Sequence, residues 1–236
     1  MDVANTLGER GLFFHPGEKF RYSLCLDVMG AVIEVASGEK FGDYVKKRFF
    51  EPLGMERTTF GVTPELKKQI APLYIFDNEK KKPVIKANGN VFILGSEFES
   101  GGAGLVSCVE DYLKFANMLT RLGKSTEGER IMSEESVNFM RENRITEEHM
   151  KMFWAGWKYL TGFGYGCGVR TALRPGLVAG HFSAGEFGWC GAAGAMTLSA
   201  PADGITVYYA QHMQNSFEWR VHPRLRAAVY GAFGLE

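Results

Sequence analysis

The sequence is short of several things, and each shortage narrows what the chain can be. Neither sign of charge is in excess: 27 Lys and Arg stand against 27 Asp and Glu in 236 residues. A nucleic-acid partner favours a basic face, so none is expected. The locally basic run Glu79-Lys80-Lys81-Lys82 precedes Pro83 in a polar stretch and reads as a solvated loop. Apolar runs long enough to span a bilayer are missing. The opening "MDVANTLGERGLFF" carries acids and no long apolar segment, so neither a membrane span nor a signal peptide is expected there. Cysteine is scarce. Cys25, Cys108, Cys167 and Cys190 show no C-x-x-C spacing and read as buried free thiols of a reducing, cytoplasmic compartment. The five histidines are scattered without an H-E-x-x-H, which argues against a metal site; no cofactor is expected.

What remains is an ordinary globular composition, 45% hydrophobic and 23% charged, with no internal repeat. From Leu24, the apolar residues Leu24, Val28, Ala31, Val32 and Val35 recur at helical spacing. Ser23 is placed to cap that helix and Gly38 to end it. A second helix is expected over Phe41 to Phe49, stopped by Pro52-Leu53-Gly54. Residues 61–104 are less regular. Ser107 is placed to cap a helix whose apolar face includes Val109, Tyr112, Leu113, Phe115, Ala116 and Leu119. Ser133 to Arg141 reads as another, with Glu134 and Glu135 in a first turn that favours acids.

The last third changes character. "GFGYGCGVR", Gly162 to Arg170, reads as a strand packed closely against other backbone. The runs "FGWCGAAGAMTLSA" and "ITVYYAQHM" flank Pro201-Ala202-Asp203-Gly204, a hairpin signal. Glu218 to Phe233 reads as a closing helix. The order of helices, antiparallel strands and a last helix predicts an α+β layout, an antiparallel sheet with flanking helices.

Taken in order, several segments resemble one family. The P-G of "FHPGEKF", the Tyr22-Ser23 pair, a helix ending in Ser37-Gly38, "EPLGM", "TTF", the stretch "SGGAGLVSCVEDYLKFANML" and the stretch "EFGWCGAAGAMTLSAPADGITVYYAQ" are similar to the serine β-lactamase-like proteins. These are the class C β-lactamases, related penicillin-binding proteins and β-lactamase-fold esterases. The resemblance runs from Leu12 to the C-terminus. It implies a β-lactamase/transpeptidase-like fold, and a serine hydrolase acting on an ester or amide carbonyl of a small molecule. In that chemistry a serine of S-x-x-K attacks, a tyrosine shares the proton traffic, and a strand binds the substrate edge-on while supplying an oxyanion-hole N–H. By resemblance Tyr22 is the catalytic tyrosine, and Trp189, Cys190, Gly191 and Ala192 are substrate-binding, with the Ala192 N–H as oxyanion donor. Leu24 stands where the β-lactamases have asparagine, and Cys190 where W-G-G has glycine. The lack of lysine in that third motif shifts weight toward esterase-like activity.

The nucleophile is the difficulty. Ser37-Gly38-Glu39-Lys40 matches S-x-x-K, yet its serine closes a helix instead of opening one, and a glycine follows it at once. It reads as a coincidence of spacing. "GHFSAGEFG" hints at G-x-S-x-G, but His181 stands where the first glycine belongs, so His181 and Ser183 read as loop. Cys190 reads as an inert strand thiol. The family's S-x-x-K lies upstream of its tyrosine, and the residues before Tyr22 contain none. The expectation is therefore one domain over 1–236, N-terminally incomplete: helices about 20–145, strands and closing helix about 160–236. As it stands it would be inactive, with self-association through an exposed sheet edge. A nucleophile-lacking binding or regulatory module, or an unrelated α+β domain, stays open at this point.

Overall fold

The chain opens with two helices, α1 (Asp2–Glu9) and α2 (Cys25–Ser37), which pack on each other. The computed structural model describes residues 2–87, 89–91, 93, 97–174, 177 and 182–235. α2 ends as its sequence indicates. Gly38 takes φ +71°, where an L side chain is strained, and its N–H reaches Glu34 O. Its start differs: Leu24 is the N-cap and Ser23 makes no capping bond. α3 (Phe41–Val45) follows and widens into a π-helical turn, Lys46–Phe50, before Pro52.

α2 is turned the opposite way from an ordinary surface helix. Its inward face holds buried Asp27 and Gly30, whereas Val28, Met29, Val32 and Val35 are exposed, Val35 by 70%. The inward polar face has a partner. Ser100 Oγ donates to Asp27 Oδ1 and accepts from the Ala103 N–H at 3.1 Å. Glu99 accepts from the Gly42 N–H at 2.7 Å. The "SGGAGL" stretch thus clamps α2 and α3 together. A side chain at Gly101 would meet Leu26 O at 2.4 Å, so only glycine allows this approach.

Residues 61–104 hold more order than the pattern suggested. α4 (Pro64–Lys67) is capped by Thr63, and β1 (Tyr74–Asp77) pairs antiparallel with β2 (Lys82–Ile85). Asp77 Oδ1 accepts from the N–H groups of Glu79 and Lys80, so the lysine run is a hairpin turn leading into β2. α5 (Val109–Thr120) starts at Cys108. Ser107 does not cap it; its hydroxyl bonds Thr58 Oγ1 at 2.8 Å. α6 (Glu134–Arg141) is capped by Ser133, which accepts from Ser136 N–H. α7 (Glu147–Gly156), capped by Thr146, was not foreseen.

The Gly162–Arg170 segment is a hairpin, not one strand: β3 (Phe163–Tyr165) turns at Gly166–Gly168 into β4 (Arg170–Ala172). β5 (Phe187–Gly188), β6 (Met196–Ala200) and β7 (Ile205–Tyr209) complete an antiparallel sheet of order β3-β4-β5-β6-β7. The hairpin signal is met: Ala200 pairs with Ile205 across Pro201–Gly204. Alternation along β6 explains why its whole run is apolar or small. Leu198 and Ala200 face Tyr230 of α8 (Glu218–Ala232), while Ser199 Oγ reaches Ala116 O of α5. Helices therefore cover both faces of the sheet, and the fold is α+β. A short β8 (Met213–Gln214) returns to lie beside β1, in parallel, giving a second sheet of order β2-β1-β8. The expected antiparallel sheet is the five-stranded one, and the parallel pair belongs to the smaller sheet.

Candidate active site

Tyr22 and Trp189 are far apart in sequence and adjacent in space. The Tyr22 ring stacks on the Trp189 indole with centroids 5.3 Å apart and planes at 26°. Trp157, just past α7, meets Tyr22 edge-on at 5.3 Å. Beneath them, Trp189 stacks over Phe153 at 6.2 Å and meets Tyr165 edge-on at 5.3 Å. Phe153 is fully buried, while Tyr22 keeps 42% of its surface. The buried rings are a floor under the half-exposed Tyr22 ring. Burial, with Tyr22 adjacent, raises the Tyr165 phenol well above the ordinary tyrosine range, so Tyr165 stays neutral and cannot serve as a base near neutral pH.

Trp189 follows β5 directly and is tied to β6 on both sides. Its N–H donates to Thr197 Oγ1 at 3.2 Å and its carbonyl accepts from Thr197 N–H at 2.9 Å. Cys190 bridges to Met196. The chain then makes a tight turn in which Gly194 N–H donates to Gly191 O at 2.9 Å and Gly191 N–H to Ala195 O at 2.8 Å. Gly191 and Ala192 thus lie in a turn at the end of the β5–β6 hairpin, not within a strand. All peptide bonds here are trans, so the Gly191 carbonyl and the Ala192 N–H point in opposite directions. Because that carbonyl is drawn into the turn, the Ala192 N–H is turned out of it. An N–H so aimed can donate to an incoming carbonyl oxygen.

Two residues near this turn, Tyr159 and His222, carried no sequence signal. Tyr159 hydroxyl lies 3.4 Å from Cys190 Sγ. Burial, and then the neighbouring thiol, push the Tyr159 phenol far up. His222 of α8 places Nε2 2.9 Å from Gly194 O, and burial depresses its imidazole below the ordinary range. Behind the sheet, fully buried Glu186 accepts from Tyr230 hydroxyl at 3.0 Å and lies 3.9 Å from Arg226. Arg170 and Arg226 both stand over the Phe163 ring, at 5.2 and 5.4 Å.

Ser37 is not part of this cluster. Its hydroxyl donates to Ile33 O at 2.7 Å, closing the last turn of α2. Tyr22 precedes the other end of that helix, roughly 20 Å away at the usual rise per residue. Ser183 lies in the loop leading to Glu186, its N–H donating to Tyr230 hydroxyl at 3.3 Å; His181 lies outside the described residues. All four cysteines are free, but Cys25 and Cys167 are exposed and Cys108 and Cys190 half-buried, so the expected burial does not hold. Among the described residues no helix is long and apolar enough to cross a membrane.

Comparison with known proteins identifies the family. The family model described as Beta-lactamase matches residues 2–231. Protein Rv1367c of Mycobacterium tuberculosis is 31% identical over 206 residues, covering 85% of this chain and 51% of that protein. Esterase EstB of Burkholderia gladioli is 32% identical over 123 residues, 46% of this chain and 31% of its own. A variant of simvastatin synthase, LovD, from Aspergillus terreus superposes with a TM-score of 0.82 at 19% identity, over 99% of this chain and 61% of that one. The chain thus spans about half the length of the first of these relatives.

Proposed function

Because the chain belongs to the serine β-lactamase-like family, we propose that its site is an acyl-binding and acyl-transfer site for the carbonyl of a small ester or amide. The observation that carries this reading is the stack of Tyr22 on Trp189 at 5.3 Å, which joins the motif tyrosine to the turn bearing the outward Ala192 N–H. In this reading Tyr22 shuttles the proton between nucleophile and leaving group. The Trp189 face packs the acyl or leaving group, and the Ala192 N–H takes the charge that develops on the carbonyl oxygen. Cys190 stands beside Tyr159 at the wall of the site, and tryptophan in place of a cationic third motif favours apolar esters over carboxylate-bearing substrates.

The step still needs a serine made nucleophilic by an adjacent base. Ser37, with its hydroxyl committed to Ile33 O, is not it. This favours two states of one site: a hydrolase whose nucleophile comes from an S-x-x-K segment outside this chain, or a module that binds carbonyl ligands without turnover. The test is a rate assay with nitrocefin and p-nitrophenyl butyrate. The 236-residue chain is expected to show negligible turnover of both. A longer polypeptide carrying S-x-x-K ahead of this sequence is expected to hydrolyse the ester, and if it only binds, the module reading stands. Full activity in the shorter chain would overturn the assignment, since it would demand a nucleophile elsewhere.

A further inference from the structure

The turn that carries Ala192 is held by a side chain from the closing helix. His222 is 4% exposed, and its Nε2 lies 2.9 Å from Gly194 O. The acceptor is a carbonyl, so the bond exists only if Nε2 carries the proton. Two other turn carbonyls have backbone partners: Gly191 O takes Gly194 N–H, and Ala193 O takes Met213 N–H at 2.8 Å. Gly194 O takes His222 instead. The imidazole is fixed in turn, its ring edge-on to Tyr209 at 6.2 Å and its backbone followed at once by Pro223. Gly194 also packs tightly on Ser216 and Gln211, where even a Cβ would come within 2.5 Å of each.

We propose that His222 is a positioning residue for the acyl site: by donating Nε2–H to Gly194 O it fixes the 191–194 turn and thereby the direction of the Ala192 N–H. This rests on the reading of Ala192 as the oxyanion donor. Only a narrow set of side chains serves. The donor must be neutral, because Arg170 and Arg226 already act on this pocket as cations, with Glu218 the nearby acid. Neutral imidazole meets that demand, and a lysine would add a third positive charge. The bond preorganises the donor, so the carbonyl oxygen meets an N–H that needs no reorganisation.

The experiment is nuclear magnetic resonance on this chain. Nitrogen shifts of His222 in the unaltered chain are expected to show the Nε2–H tautomer with slow proton exchange; the Nδ1–H tautomer overturns the proposal whether or not any variant folds. The Ala192 amide is then followed while ampicillin or methyl butyrate is added. Saturable shifts are expected, with affinity weakened roughly tenfold in His222→Ala, the equivalent of about one lost hydrogen bond. In His222→Gln, which keeps an N–H donor, most of the affinity is expected to return. Equal affinity in the unaltered chain and His222→Ala overturns the positioning role. If neither ligand moves the Ala192 amide of the unaltered chain, the oxyanion reading falls. The mechanical part then depends on whether His222→Ala shifts the amides of Gly191 to Gly194, and no shift overturns that as well.

Discussion

Tyr22 illustrates how little of a residue's role lies in its own side chain. Its ring is held by two indoles, Trp157 and Trp189, so removing the hydroxyl leaves the packing in place. In a form that carries the nucleophile, Tyr22→Phe is expected to lower kcat by roughly a hundredfold or more, the scale of a positioned acid–base group, with thermal stability little changed. Ser37→Ala serves as the control and should leave acylation by an inhibitor intact; a large loss there would return Ser37 to the mechanism. His222 makes a different kind of prediction. Burial depresses its imidazole in the folded chain. Above about pH 6.5 both folded and unfolded chains hold it neutral, and the fold has its full stability from this group. As pH falls below that value, the unfolded chain binds a proton that the folded one resists, so stability drops until the buried imidazole itself titrates. Urea midpoints measured from pH 7.5 down to 5 should fall in the parent and fall less in His222→Gln. Equal slopes would show that His222 does not set the dependence.

Among the elements, those with a strong period or a sharp stop were legible in the sequence. α2, α5, α6, the β6–β7 hairpin and α8 all formed near their expected places, because apolar spacing and turn residues agree there. Gly38 is the clearest stop, and Gly38→Ala, with φ held at +71°, is expected to cost about 1 kcal/mol in denaturant unfolding. A neutral result would mean that the cap relaxes. Two serines were misread as caps because a serine before a helix is only a candidate. Ser107 found Thr58 instead, and Ser23 lies one residue too early. The β1–β2 hairpin escaped notice because each strand has four residues, too few to show alternation, although Asp77-Asn78 marked the turn. In the site, Tyr22 and the Trp189–Ala192 stretch were legible only through ordered motifs. Trp157, Tyr159 and His222 were not, since their roles arise from contacts between remote segments that no local pattern encodes.

At the scale of the whole molecule, α2 turns an exposed apolar stripe outward among the described residues: Val28, Met29, Val32 and Val35. Self-association is expected through a sheet edge; β2, one edge of the smaller sheet, opens with Lys82-Pro83, residues that blunt pairing there. The stripe offers a further surface for association. Light scattering of this chain should show dimers or larger species, and the double change Val32→Glu with Val35→Lys should shift them toward monomer. A monodisperse monomer in the parent would rule the stripe out. The parallel pairing of β1 with β8 has a consequence in time as well as in space. Tyr74 faces Met213, a strand emerging roughly 140 residues later. At ordinary rates of synthesis, about 5–20 residues per second, the β1–β2 hairpin waits roughly seven to thirty seconds for its neighbour. Throughout that interval the open side of β1 has no strand to pair with.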